Sequence, residues 1–410
     1  MATFTVTTSA DTGAGSLRDA ITAANASAGA DTVSFDSAVF DGGAEDLVRL
    51  TSGAIAITDA LTIVAGDKGV TITGDAAGDD VTLAGGVTDM EATFDADREF
   101  DNSRIFDATA ALSLDGLTLT GGWTEDGGGA VTSTADVTLV GGAISGNGSG
   151  YLGGGVLTTG TATLVDSALD GNVLRGDGGG IAVSAGAIVM RGSKATGNVA
   201  LNDMASFQTL YARGDVTLED SAVSDTSEGA GIMGGGAVTI IRSVVSGNRA
   251  DETTCGGISG DDVRVIDSTV SDNSGLLGVG GIRATSSAVI ENSTIAGNSA
   301  IDGPVGGILG GAVVVRDSTI TGNVATRDDG VGGIAADTVS LSNSIVLGNA
   351  VLTYAATGLV GTASDISGSI TRAGGNIVGD DVFDGDVRVG SATAAEVFAA
   401  TTEAAPGVEG

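Results

Sequence analysis

The chain has 410 residues, of which 70 are Gly, 2 are Pro and none is His, and 52 acidic residues against 17 basic ones give a net charge of −35. The lack of His excludes Ser-His-Asp and Cys-His catalysis and His-ligated metal sites, and the charge argues against nucleic acid and anionic membranes as partners. Gly without a three-residue period is not collagen, and 42% hydrophobic residues is too apolar for a disordered chain.

The opening residues Met1-Ala2-Thr3-Phe4-Thr5-Val6 lack the basic and apolar stretches of a secretory signal. The expectation is therefore an intracellular protein or one whose export signal lies elsewhere. No apolar run of about 18 residues occurs, so no membrane insertion is expected. Residues 16–26 form the one convincing amphipathic helix, with Leu17, Ile21 and Ala24 on one face and Ser16 with Asp19 in a capping-box pattern. We assign residues 1–45 to an N-terminal cap, because the end of a stacked-strand structure exposes apolar core and unpaired strand groups.

From there a repeat governs the chain. Asn147, Asn172, Asn198, Asn248, Asn273, Asn298, Asn323 and Asn349 follow Gly or Asp at intervals of 25 or 26 residues, save for one gap of 50 that holds a degenerate copy near Thr226. A Ser lies five residues before most of them, as in Ser167, Ser268 and Ser318. Apolar residues stand three and five positions before that Ser and two after it, as in Val263, Val265 and Val270. This period-2 pattern, rich in β-branched residues, predicts strands with one buried face. A third strand is expected after each Gly pair, as in Gly281-Ile282 and Gly307-Ile308.

Three short strands in about 25 residues bury no core alone, but stacked about 4.8 Å apart they form parallel sheets around one apolar axis. The predicted fold is all-β, a single-stranded right-handed parallel β-helix whose coils occupy residues 46–350. The Asn series reads as a ladder: Asn tolerates left-handed backbone angles at a tight turn, and its amide reaches the equivalent Asn one coil away.

Several features do not follow from the coil. Residues 89–107 are rich in Asp, Glu and Arg and predict a charged loop leaving the solenoid. A carboxylate precedes most Gly-pair strands, at Asp126, Asp177, Asp203, Glu228, Glu252, Asp302 and Asp328. As a solvated edge these keep the protein soluble and discourage lateral sheet pairing; as oxygen ligands together with turn carbonyls they make a row of calcium sites. Residues 194–213, with an insertion near 199–213, carry Phe207, Tyr211 and Arg213. These either offer a platform for a sugar ligand or plug a widened coil. Cys255, the one cysteine, permits no intrachain disulfide and reads as a small buried filler. After Asn349 the pattern fades, and residues 351–410 are expected to hold degenerate coils and a tail that stops inside a longer polypeptide.

Two motifs resemble a known group. Gly15-Ser16-Leu17-Arg18-Asp19-Ala20-Ile21 resembles the Cys-Ser-Leu-Arg-Glu-Ala cap segment that opens many bacterial surface-associated β-helix proteins, with Gly15 and Asp19 in place of its Cys and Glu. The Gly-Gly-Ile strands and Gly-Asn turns resemble the repeats of polymorphic outer-membrane proteins, with Ile144 where Phe is usual ahead of Asn147. The resemblance implies an extracellular or cell-surface structural and adhesive module, part of a larger secreted calcium-associated protein. Expected partners are a polysaccharide or another surface protein, with end-to-end self-association and calcium as the sole cofactor.

The alternative is a polysaccharide lyase or hydrolase, since such enzymes use this fold. A lyase needs a basic residue beside clustered carboxylates, yet Arg175, Arg191, Arg242, Arg264, Arg283 and Arg316 fall at different coil positions. A hydrolase needs two carboxylates at a set separation, for which Asp261-Asp262 and Asp328-Asp329 offer adjacency alone. No catalytic residue is assigned.

Overall fold

The structure, a computed structural model, describes residues 1–43, 46–78, 102–174, 180–200, 208–251, 255–355 and 358–379, with the short strands Phe383–Asp384 and Val387–Arg388. The chain is a parallel β-solenoid with a single helix among the described residues. It divides into two compact units, Met1–Gly236 and Ala237–Gly410.

In the first unit the coil wall begins at Thr3–Val6, which pairs in parallel with Asp31–Phe35, and this in turn with Leu61–Val64. The helix Leu17–Ala26 (α1) packs on the first strands and buries Leu17, Ala20, Ile21 and Ala24. Ser16 caps it, its hydroxyl accepting from the Asp19 N–H at 3.2 Å. The Asp19 carboxylate in turn accepts from the Gly15 N–H at 3.0 Å, one residue earlier than in the usual capping box. Arg18 ties the helix to the wall: it donates to Asp11 at 2.8 Å and to the carbonyls of Gly53 and Ala54 at 2.7 and 3.0 Å.

Burial pushes the Asp11 carboxyl up, but hydrogen bonds from Ser52, Arg18 and Thr51 and the Arg18 charge outweigh it and hold the group below its usual range. A carboxyl depressed in the folded state contributes stability above its unfolded pKa of about 4, and that contribution is lost as pH falls through the folded value. Acid titration of thermal melting is therefore expected to lower the midpoint of the first unit below about pH 4. Asp11→Asn should remove that part of the pH dependence and start from a lower midpoint at neutral pH.

From the strand Leu112–Asp115 onward the coils feed three faces. The broad face of the first unit takes two strands per coil, such as Val156–Thr158 and Ala162–Val165, stacked in register on Val131–Ser133 and Val137–Val140. The narrow face takes Ala143–Ser145, Ala168–Asp170 and Lys194–Thr196. A third, short face takes Gly148–Ser149 and Val173–Leu174, just after each Asn. The sequence pattern did not reveal this face, because two-residue strands carry no periodicity.

In the second unit the two broad-face strands fuse into one of nine or ten residues, Ile258–Ile266, Ile282–Glu291, Ile308–Arg316 and Ile334–Ser342. The strand expected after each Gly pair thus lies in the same sheet as the strand that leads to the Ser. Its inward residues Ile258, Val263 and Val265 are at most 1% exposed, as is the narrow-face Val270.

Left-handed backbone turns the corners, and it falls one residue earlier than expected. The ladder Asn residues themselves are not left-handed; the residue before each one is, as at Gly146 (φ 62°), Asp272 (φ 57°) and Gly322 (φ 65°). The residue before each Ser is too, as at Asp166 (φ 48°), Asp267 (φ 51°) and Asn292 (φ 49°). Asp, Asn and Gly recur there because they bear that conformation at least cost.

Two insertions differ from expectation. Of residues 89–107, those up to 101 lie outside the described residues, but Phe106–Ala108 is a regular strand paired with Ile55–Ile57 and Val131–Ser133. Likewise Gln208–Ala212 is a strand of the broad face paired with Ala230–Gly234, so the wall has resumed by residue 208.

Candidate functional site

The eight Asn form hydrogen-bonded spines, of three in the first unit and five in the second. In the second unit the Asn273 side-chain N–H₂ donates to Oδ1 of Asn298 at 2.9 Å and to the carbonyl of Val245 at 3.0 Å. Its Oδ1 accepts from the backbone N–H of Asn248 at 3.2 Å and from that residue's amide at 2.9 Å. All four bonding positions of a buried amide are used. The pattern repeats through Asn298, Asn323 and Asn349, and in the first unit through Asn147, Asn172 and Asn198. Thr226 takes the Asn position in the degenerate coil, where Val199 bridges Ser227, and it meets Thr209 instead.

Sequence reasoning missed two members. The marker Ser residues are a second ladder: Ser268, Ser293 and Ser318 each accept the N–H of the preceding coil's Ser at 3.0 to 3.1 Å and donate to the carbonyl two residues back. Asp365, 0% exposed, ends the Asn ladder, accepting from the Asn349 backbone at 2.9 Å and its amide at 2.7 Å. Asp365 lies only 16 residues after Asn349, so it falls outside the repeat.

This placement follows from how the C-terminal segment, expected to hold degenerate coils, leaves and rejoins the wall. After Asn349 the chain forms an antiparallel hairpin, Ala350–Ala355 with Gly358–Ala363. A further coil follows, with Ile366–Ala373 on the broad face and Ile377–Val378 on the narrow one. Two alternating runs around Ala356-Thr357-Gly358 are the hairpin signal in the sequence.

The hairpin opens a cleft of about 520 Å³ on the second unit. Asp328, Asp329, Thr353, Thr362, Ser364 and Ser367 line it, over Val351 and Ile366. Arg327 donates to Asp329 at 3.0 Å and holds that carboxyl below its usual range. Asp329 is thus an acceptor for ligand hydroxyls and a poor proton donor. Of the described members of the carboxylate row, Asp328 alone lines this cleft.

Asp126, Glu228, Asp302 and Asp328 are exposed, whereas Asp177, Asp203 and Glu252 lie outside the described residues. Glu228 and Asp302 occupy left-handed corners (φ 60° and 52°), a position Leu277 fills at φ 61° in its coil. Part of the row is therefore set by backbone geometry. Among the described residues no three acidic or Cys side chains converge as a metal cluster. Asp261 and Asp262 accept from Thr285 and Ser287 at 2.5 and 2.6 Å on the outer broad face.

Phe207 also lies outside the described residues. Tyr211 sits between Leu210 and Ala212, both 0% exposed, so it points out of the wall, half-buried beside Ala182 and Met233. It is not a plug, as the second reading of that segment had it. Arg213 is exposed at the strand end. The basic residues stay scattered: Arg264 and Arg316 flank Glu291 at 3.5 and 2.6 Å, Arg191 meets Glu219 at 3.5 Å, and Arg242 holds a left-handed corner. Cys255 is a filler, stacked with Val279 and Val305, and burial pushes its thiol up to about 12.

Residues 205–351 match the family model for a right-handed β-helix region. That is the handedness and fold expected from the repeat, and the matched residues include five of the eight ladder Asn. No curated protein matches the chain. No helix among the described residues is long and apolar enough to cross a membrane.

Proposed function

We propose that this β-helix is a structural and adhesive module, held at a bacterial surface or in a larger exoprotein, that binds a polysaccharide or another surface protein. The observation that carries the reading is the hairpin cleft, in which the ladder-stitched wall gives way, beside Asp328 and Asp329, to a pocket of hydroxyls and carboxylates. Such groups accept and donate to sugar hydroxyls, while the stacked coils supply rigidity. The resemblance of Gly15–Ile21 to surface-protein caps, and of the Gly-Asn turns to outer-membrane-protein repeats, supports the same setting. Calcium would bind along the exposed row at Asp126, Glu228, Asp302 and Asp328, each ion held by one or two carboxylates and turn carbonyls. The row continues in sequence through Asp177, Asp203 and Glu252. Tyr211 and Arg213 are a second, outward-facing contact surface.

The test is binding to an array of polysaccharides and surface proteins, in millimolar CaCl₂ and again in excess EDTA. The expected result is retention of one class of ligand, weakened about tenfold or more in Asp328→Asn/Asp329→Asn, with a melting temperature several degrees higher in calcium. Absence of binding throughout would overturn the adhesive reading. Release of new reducing or unsaturated sugar ends would replace it with the lyase or hydrolase alternative.

A further inference from the structure

We infer that the outer narrow face of the second unit is a binding surface for an ordered water lattice, the surface of ice. Its first column is Val244, Thr269, Thr294, Thr319 and Ile345, in strict register from coil to coil. Its second column, two residues on, is Ser246, Ser271, Ala296 and Thr321. Between the columns Val245, Val270, Ile295 and Ile320 are 0% exposed, so alternation points both columns outward.

Charge is the first anomaly of this face. A solvated surface carries charged side chains at about a quarter to a third of its positions, and the whole chain has a net charge of −35. These nine positions have none. The matching face of the first unit does bear Asp170 and Lys194. In the second unit the charge nearest these columns stands at the rim, at the exposed corners Arg242, Asp267, Asp272 and Asp317.

Geometry supplies the occupant. Neighbouring coils repeat at about 4.8 Å and alternate residues along a strand at about 6.6 Å, so Thr269, Thr294 and Thr319 line up hydroxyl and methyl groups in the first column, with the hydroxyls of Ser246, Ser271 and Thr321 and the methyl of Ala296 in the second. β-Branched side chains are restricted at χ1, and the Ser and Asn ladders beneath fix the backbone. A neutral grid of hydroxyls and methyls at these spacings lets bound water adopt ice-like positions, with the methyl groups caged rather than hydrogen-bonded. Stacking on sugar rings needs aromatic faces, and neither column has one. A second copy would bring the same net negative charge against it.

The test is the growth of single ice crystals in the protein solution, with partition of fluorescently labelled protein into a growing ice front. The intact chain is expected to facet the crystals, open a gap between freezing and melting points, and enter the ice. Thr294→Lys/Thr319→Lys should abolish all three while circular dichroism melting stays unchanged; if the double variant melts low, Thr294→Lys alone carries the test. Round, unfaceted crystals with the label excluded from ice would overturn the inference. Faceting that survives in a folded variant would overturn it too, as would Thr294-dependent pelleting with crystalline cellulose or chitin in place of ice binding. None of these results bears on the hairpin cleft, which lies on other residues.

Discussion

Asn298→Ala is expected to destabilise the second unit by about 4 kcal/mol, the sum of two buried donors left unmet at about 1–3 kcal/mol each and a small cavity. The stranded donors are the backbone and side-chain N–H groups of Asn273, both of which end on Asn298 Oδ1. Val270 O loses its partner as well. Asn298→Asp should rescue little, because its carboxylate accepts from Asn273 but sets a buried charge with no N–H against the oxygens of Val270 and Asn323. Ser299→Ala, one residue on and half-exposed, is expected within about 0.5 kcal/mol of the parent. Urea unfolding of the three variants checks this. Equal midpoints for Asn298→Ala and Ser299→Ala would show the ladder to be ornamental.

Gly307→Ala is the second large effect, at about 2–3 kcal/mol of overpacking. A Cβ at Gly307 would stand 2.4 Å from the Gly333 carbonyl oxygen and 3.3 Å from Asn323 Cγ. Backbone on one side and the ladder on the other leave it nowhere to move. Gly257 and Gly281 meet the same pair of obstacles, at 2.4 and 2.6 Å from the next coil's carbonyl. The Gly pairs thus let the wall close against the Asn spine. Gly322→Ala is the comparison: its φ is 65° and its nearest neighbour would be 3.8 Å away, so it should cost only the left-handed strain of about 1 kcal/mol. A melting series that ranks Gly322→Ala as the more damaging would contradict this division between close approach and backbone strain.

These two positions also mark how far the sequence is legible. Repeats give strands, register and the ladder, because each coil must bury the same inward residues and meet the same neighbour. Asn147 to Asn349, the cap helix and the buried Cys255 were all readable on that basis. What the repeat hides is whatever occurs once or has no apolar signature. Asp365 ends the ladder after an insertion and carries a different side chain. The Ser series marks register in the sequence, whereas its hydrogen bonding emerges only when coils stack. The left-handed residue precedes the Asn because the Asn must point inward to bond, and an inward side chain needs the corner to turn just before it. The carboxylate row at Glu228 and Asp302 shares its spacing with a backbone corner, so its period does not by itself distinguish a turn from a ligand set. The cleft beside Asp328 required knowing where the hairpin leaves the wall.

The most direct measurement of the central claim, that two ladders stitch together the coils of each unit, is native-state hydrogen exchange resolved to single amides. The N–H groups of Ser268, Ser293, Asn273 and Asn298 each bond to a ladder side chain of the next coil. They are expected to be among the slowest to exchange, opening only with the unit as a whole. Exchange of these amides as fast as that of the exposed Asp328 and Asp329 turn would contradict the account.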